Sequence, residues 1–395
     1  MPDAPTGPLN GLKVIELAGI GPGPFCGMML ADLGADVLRI DRAAGAIGPA
    51  RLGLDVTKDI LARGRRSLKV DLKNPQAAEF VLALVEKADV LFEGNRPGVT
   101  ERLGIGPEVC LARNPRLVYG RMTGFGQTGP MSRRAGHDIN YIALSGALAT
   151  IGRAGEKPVP PSNYVGDLAG GGLMLALGIL AAVLHARSTG TGQVIDAAMV
   201  EGAAVVTAFH HMLLAMGAIK EERGANIGDT GAPYYEVYET ADGRYMAVGA
   251  NEPQFYASFL TGLGLDPARF AEQTDPRHWA DYKREIEAAF KSKTQDEWVA
   301  VYEGVDCCVT PVLWPSEAPD HPHNRERGAF VRVDGVLQPA PAPRFSGTPT
   351  SVRPVATPGQ YGDEALAEWG IDPELVKSAR AGERPCLRGN VHDRA

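Results

Sequence analysis

Between Lys13 and Asp196 short apolar runs alternate with helical patterns, and this alternation restricts the possible folds more than any other feature. Residues 14–17, a run ending at Asp41, 68–72, 90–93, 117–122 and 193–196 read as strands, with helical spacing between them. Such an order produces an α/β sheet with helices on both faces. Ligands of open α/β sheets collect beyond the carboxyl ends of the strands, which here directs attention to the residues closing 68–72 and 90–93.

The pattern then changes. A long helical stretch, 198–219, leads out of the sheet, and 224–232 is loop. Residues 234–239 and 244–249, joined by Thr240-Ala241-Asp242-Gly243, read as a hairpin followed by helices near 253–263, 280–291 and 295–303. From His321 the proline content climbs, with 338–343 extended and 348–358 linker-like, before a helical pattern with a charged face at 364–380. The expected divisions are a large α/β domain begun by 1–197, a helical linker 198–232, a small α+β domain 233–318, and a return segment 319–395 that completes the large domain.

At 395 residues the chain can bury two cores, taking ~150 residues per domain. A net charge of −7 argues against a nucleic-acid partner. Arg63, Arg65 and Arg66 form a modest basic cluster that either attracts phosphates or is merely solvated. The five cysteines, Cys26, Cys110, Cys307, Cys308 and Cys386, are odd in number and lack paired metal spacing, so no metal site and a reducing, cytoplasmic setting are expected. Residues 1–10 lack the features of a secretion signal, and His392-Asp393-Arg394-Ala395 is not a peroxisomal address. The uncharged run 168–184 is broken by glycines and falls short of the ~20 apolar residues a span needs, so it reads as a buried helix rather than a membrane insertion.

Three residues stand out as candidate bases. His137 follows the Gly- and Pro-rich run 122–130, and Asp138 is placed to cap a helix continued by Ile139, Ile142, Ala143 and Gly146. Unpaired N–H groups at such a helix start favour an enolate or oxyanion. Asp167 stands in a Gly-rich turn before an apolar helix, either as a simple N-cap or where its glycines admit another backbone or a ligand. Glu252 marks the change from a strand to a helix with Pro253 at its first position. Met122, Met174, Met199, Met212 and Met216 fall on or beside the helices of these candidates, either as ordinary core or as an adaptable surface. The segment Gly19-Ile20-Gly21-Pro22-Gly23-Pro24-Phe25-Cys26 imitates a dinucleotide-binding turn. Pro22 and Pro24 lack the N–H donors a pyrophosphate needs, so it reads as a tight strand-to-helix turn and not as an NAD site.

The motifs Gly11-Leu12-Lys13-Val14-Ile15-Glu16-Leu17, Leu33-Gly34-Ala35-Asp36-Val37, Asn95-Arg96-Pro97-Gly98-Val99, Arg102-Leu103-Gly104, Gly136-His137-Asp138-Ile139-Asn140-Tyr141, Gly166-Asp167 and Gly190-Thr191-Gly192-Gln193-Val194-Ile195-Asp196 resemble the family III CoA-transferases. Within that family the likeness is to the α-methylacyl-CoA racemases, from Leu12 to about Phe345. The resemblance implies a Rossmann-like large domain, a smaller α+β domain and an interlocked homodimer. It implies that His137 and Asp167 are the catalytic bases, with Glu252 supporting the histidine across the subunit interface. It places the CoA portion at Arg42, at Val70, Asp71, Leu72 and Lys73, at Gly94, Asn95 and Arg96, and at Arg102. Gly136, Asp138, Ile139, Asn140 and Tyr141 belong beside the thioester. The stretch 45–57 departs from the family pattern, and the likeness fades past Ser346.

The implied reaction inverts C2 of a 2-methylacyl-CoA through an enolate, a step in lipid and fatty acid metabolism that requires no cofactor beyond the CoA of the substrate. One base must be brought toward neutrality by burial (Asp167), the other by a carboxylate partner (His137, with Glu252). Two other readings stand beside it: a CoA-transferase with Asp167 as nucleophile, and a non-catalytic acyl-CoA-binding protein.

Overall fold

The computed structural model describes residues 6–380; Cys386 and the terminal tetrapeptide lie outside the described residues. The chain forms two compact units. The first takes the described residues up to Tyr141, then Asn163–Val205, and resumes at Phe330, whereas the second takes Ile142–Ser162 and Val206–Ala329.

In the first unit six strands, β1 (Lys13–Leu17), β2 (Asp36–Arg42), β3 (Arg65–Val70), β4 (Val90–Glu93), β5 (Val118–Thr123) and β6 (Gln193–Ala198), form one sheet in the order β3-β2-β1-β4-β5-β6. Every neighbouring pair is parallel. Connecting helices include α1 (Pro22–Asp32), α2 (Pro75–Val85), α3 (Val99–Arg102) and α4 (Pro107–Arg113). Ile15, Leu38, Leu68 and Leu91 face one core, and Val14, Val37, Val90 and Phe92 face the other. Burial on both faces is why these strands read as continuous apolar runs. The order doubles back between β1 and β4, and that switch point opens a crevice beyond the strand ends. The tight turn expected over 19–26 is shorter: 18–21 carry the chain from β1 to α1, and Pro22 and Pro24 already lie in the first turn of the helix, where no N–H donor is needed.

The strand expected at 68–72 begins earlier, at Arg65, because its arginines are neither phosphate ligands nor solvated. Arg65 is buried against Glu16 at 2.9 Å and also donates to the Pro24 and Leu61 carbonyls. Arg63 donates to both oxygens of Asp32 and to the side chain of Gln338. Arg66 pairs with Asp36 and Glu368. Sequence adjacency made these a patch; pairing with three different elements makes them internal ties.

The expected linker 348–358 is likewise structural. Arg353 donates to the Ala31 and Ala35 carbonyls, and the N–H of Ser67 reaches the carbonyl of Gln360, so the returning chain covers the edge strand β3. Before it, Phe330–Val333 and Val336–Pro339 form a hairpin that the proline content concealed. The helical pattern near 364–380 is two helices, Gly362–Trp369 and Pro373–Arg380, parted by Gly370 in the left-handed region.

Helix α5 (Asp138–Leu144) follows β5. Residues Tyr164–Leu173 are a π-helix, not the exposed turn expected around Asp167, and they run into α6 (Met174–Thr189). The combined run is long and apolar enough to cross a membrane, yet Leu175, Ile179 and Val183 sit in the core while Leu177 and Leu184 are exposed. After β6 comes α7 (Met199–Val206), and the single helix expected over 198–219 breaks at Thr207 before α8 (Ala208–Ala215). The division between units falls at the end of α7, between Val205 and Val206 and just before this break, so 198–232 is shared between the two units instead of forming a separate linker.

The second unit contains an antiparallel sheet of β7 (Tyr235–Glu239), β8 (Tyr245–Gly249) and an unexpected third strand, β9 (Val309–Pro311). It is packed by α9 (Pro253–Gly262), α10 (Pro276–Phe290) and α11 (Gln295–Tyr302) around Phe259, Phe290 and Trp298. Residues 142–162 join it because Arg223 donates to the Ala149 and Glu156 carbonyls and Arg153 pairs with Glu236 at 2.8 Å.

Substituting Arg65→Met leaves Glu16 buried without its partner, at an expected cost of roughly 3–5 kcal/mol. Urea unfolding should show the lowered midpoint, and adding Glu16→Leu to the same chain should recover most of it.

Candidate active site

A cavity of about 500 Å³ opens at the switch point of the first unit. It is lined by the β1–α1 turn, by Gly94, Asn95 and Arg96 after β4, by Met122 and Phe125 around the end of β5, and by His137, Tyr141, Asp167 and Met199. Buried Glu93 lies behind the lining and fixes the turn after β4, since its carboxylate accepts the Asn95 N–H at 2.5 Å and the Arg121 guanidinium at 3.2 Å. Burial raises the Glu93 pKa, with these donors opposing the rise.

His137 immediately precedes α5. Its N–H donates to Asn140 Oδ1 at 3.0 Å, and its carbonyl accepts from Asn140 N at 2.8 Å. Asp138 is therefore the first residue of the helix, not its cap. Gly136 is dictated by packing: a Cβ there would lie 2.8 Å from the Tyr141 ring and 3.1 Å from that of Phe125. The Tyr141 phenol donates to the Gly136 carbonyl, and burial, followed by the charges of Asp167 and Asp138, pushes its pKa to about 12.

Asp167 is set by the π-helix. Wider winding is uncommon and recurs at functional positions. Here its glycines seat the segment against two other backbones. A Cβ on Gly170 would meet the Ala203 nitrogen at 2.5 Å, and one on Gly172 would meet the Pro22 carbonyl at 2.7 Å. The Asp167 N–H donates to Asp138 Oδ2 at 2.7 Å, while Asp138 Oδ1 is buried with no partner. Burial raises the Asp167 pKa and the Asp138 charge adds to it; a hydrogen bond from Asn163 and the proximity of His137 pull the other way.

The proposed site residues thus separate. Gly94, Asn95, Arg96, Gly136, His137, Tyr141 and Asp167 share the cavity. Asp138 lies behind Asp167, and Ile139 and Asn140 are on the exposed side of α5. Arg42 borders a neighbouring cavity. Val70 is a core residue at the end of β3, with Asp71, Leu72 and Lys73 in the turn that follows, and Arg102 closes α3. Glu252 belongs to the second unit, where it precedes α9, is exposed, and has Cys308 within electrostatic reach. Of the methionines, Met122 and Met199 line the cavity, and Met212 and Met216 are exposed.

The sequence reading missed Asn163, Ser132 and Arg134. Asn163 was hidden by the prolines before it, although its spacing of four residues from Asp167 is the spacing that lets helical side chains meet. Ser132 and Arg134 lie in irregular chain with no periodicity to mark them. Among the described residues no cluster of His, Cys, Asp and Glu fit for a metal ion is found.

Because the Asp138 charge adds to the rise of the Asp167 pKa, Asp138→Asn should lower that pKa while keeping an oxygen acceptor for its N–H. Carbon-13 NMR titration of the labelled Asp167 carboxyl should show its midpoint moved to lower pH; an unmoved midpoint would deny the coupling.

The model of CoA-transferase family III matches residues 9–363. Over 390 residues the chain is 47% identical to the α-methylacyl-CoA racemase of Mus musculus, spanning 97% of this chain and 100% of that one. It is 46% identical to the Homo sapiens enzyme of the same name, over 93% of this chain and 95% of that one. Among solved structures, a CaiB/BaiF family protein from Brucella suis superposes with a TM-score of 0.80 at 27% identity, covering 92% of this chain and 100% of that one. With a parallel sheet in the Rossmann order and a family match over most of its length, the chain belongs to CoA-transferase family III.

Proposed function

We infer that the protein is a racemase that interconverts the (2R) and (2S) forms of 2-methylacyl-CoA thioesters, with His137 and Asp167 on opposite faces of C2. The observation that carries this reading is that an imidazole and a carboxyl of raised pKa line the same cavity at the switch point. Similarity to the two racemases supports it.

The C2 hydrogen of a thioester is weakly acidic because its removal leaves an enolate delocalised onto the carbonyl oxygen. One base takes that proton, the planar enolate is held, and the opposite group returns a proton to the other face. Burial suits Asp167 to hold and release a proton nearer neutrality than an ordinary carboxyl does. Backbone N–H groups at the start of α5 supply fixed donors for the enolate oxygen. Proton transfer of this kind requires no metal and no redox cofactor, and CoA enters as part of the substrate. We assign its phosphates and adenine to Arg42, Val70–Lys73, Asn95, Arg96 and Arg102, around the strand ends where anions and planar rings find donors and surface.

We further propose that two chains interlock as a homodimer, with Glu252 of one supporting His137 of the other. Leu177, Leu184, Val205 and Phe209, exposed on α6, α7 and α8, supply apolar surface for such a contact. The unpaired thiols of the described cysteines suit a reducing cytoplasm.

Incubating the protein with one epimer of a 2-methylacyl-CoA in deuterated water, without an acceptor acid, should bring deuterium to C2 with loss of optical purity. Asp167→Ala should slow epimerisation by about 10²–10⁴ and still bind the thioester. Transfer of CoA to an added carboxylate, with C2 unlabelled, would instead make Asp167 a nucleophile. Binding without either reaction would make the protein a carrier.

A further inference from the structure

We propose that Arg134 is a specificity-determining residue that grips an anionic end of the acyl chain, so that mono-CoA thioesters of 2-methyl-branched dicarboxylic acids belong to the substrate range. The proposal rests on the racemase reading and adds to it a recognised group beyond C2.

The cavity at the switch point holds an excess of basic groups. Besides the Tyr141 phenol, its ionisable lining is Arg96, Arg134, His137 and Asp167, and the raised pKa of the single carboxyl works against its charge. Arg96 is assigned to CoA. Asp167 is influenced by Asp138, Asn163 and His137, and not by Arg134. The exposed Arg134 guanidinium has no ion-pair or hydrogen-bond partner among the described residues, so the acid that balances it has to arrive with the ligand.

The root of this side chain is fixed. Arg134 N–H donates to the Met131 carbonyl at 2.8 Å, and Ser132 closes the preceding turn on the Gly129 carbonyl, with its N–H at 3.3 Å and its hydroxyl at 3.0 Å. His137 follows soon after, and the packing of Gly136 against the Tyr141 and Phe125 rings ties the intervening chain to the cavity wall. The guanidinium is thus presented from an ordered backbone. Arginine suits a carboxylate because its planar fork meets both oxygens at once.

Sheet order decides which end of the substrate reaches Arg134. The neighbouring cavity bordered by Arg42 shares Gly19, Ile20 and Gly21 with this one, and a Cβ on Gly21 would lie 3.3 Å from Asp167 Oδ2. CoA held beyond β2 and β3 therefore crosses the turn at 19–21 to bring its thioester to Asp167. In the order β3-β2-β1-β4-β5-β6, the chain that carries Arg134 follows β5, on the other side of β1. Three strand spacings, roughly 14 Å, part β2 from β5. With the phosphates at one end of this span, the group that meets Arg134 belongs to the acyl chain.

Titration calorimetry tests this with the mono-CoA thioesters of 2-methylglutaric, 2-methyladipic and 2-methylsuberic acids, each linked at the carboxyl beside the methyl-bearing carbon, against the same thioesters with the distal carboxyl as its methyl ester. At the chain length that reaches Arg134 the free acid should bind roughly tenfold more tightly than its ester, and added salt should narrow that ratio. Arg134→Gln should bring the ratio near one, and Arg134→Lys should keep part of it. Arg133→Gln removes the same charge outside the lining and should leave the ratio within about twofold. Free CoA should bind each variant within about twofold of the unsubstituted protein, and melting temperatures report folding. A ratio near one at every chain length overturns the proposal, and so does a ratio that survives Arg134→Gln or falls equally in Arg133→Gln. A loss shared by acid, ester and free CoA in Arg134→Gln also overturns it and gives Arg134 to the CoA portion. Deuterium entry at C2 is read separately: its absence from every thioester while the Arg134-dependent ratio persists would count against the racemase reading and for the carboxylate grip.

Discussion

The contact of the π-helix with α1 and α7 is what brings a carboxyl to the switch point. Gly170 lies against the Gly202–Ala203 backbone and Gly172 against the first turn of α1, at separations that leave no room for a Cβ. Since α1 rises from β1 through the turn that borders both cavities, the position of Asp167 is tied to the central strand of the sheet. Wider winding turns Asp167 toward the crevice and leaves its N–H for Asp138 Oδ2 in place of an intrahelical bond. Local backbone cost at such a site is offset by packing elsewhere.

Electrostatics divide between anchoring and tuning. Glu16 with Arg65, Asp32 with Arg63, and Glu93 with Arg121 are buried pairs whose geometry makes their desolvation tolerable and whose value lies in holding elements together. Asp138 and Asp167 are different, being like charges placed close together with one oxygen of Asp138 unpartnered. That arrangement disfavours charge on Asp167. A site for proton exchange needs this, and a scaffold does not.

Strand positions were legible because burial on both sides of a parallel sheet writes continuous apolar runs; Val90–Glu93 was read to the residue. The hairpin of the second unit was legible from alternation and its turn residues. The π-helix was not, since three consecutive glycines look like a loop unless the backbones they admit are known. Arg63, Arg65 and Arg66 looked like a surface patch because their acids lie about thirty to fifty residues earlier or at the far end of the chain. The cover over β3 was hidden for the same reason, its hydrogen bonds spanning nearly the whole described length.

The sequence by itself determined the sheet, the two units in outline, the family and the identities of the candidate bases, because periodicity and motifs are local properties of a chain. Tertiary structure alone decided which of those residues face one cavity: His137, Asp167 and Tyr141 do, Asp138 turns behind its neighbour, and Ile139 and Asn140 point to solvent. Direction of a side chain within a short helix, and the approach of two backbones through glycine, depend on contacts between segments far apart in the chain, and no local pattern encodes them.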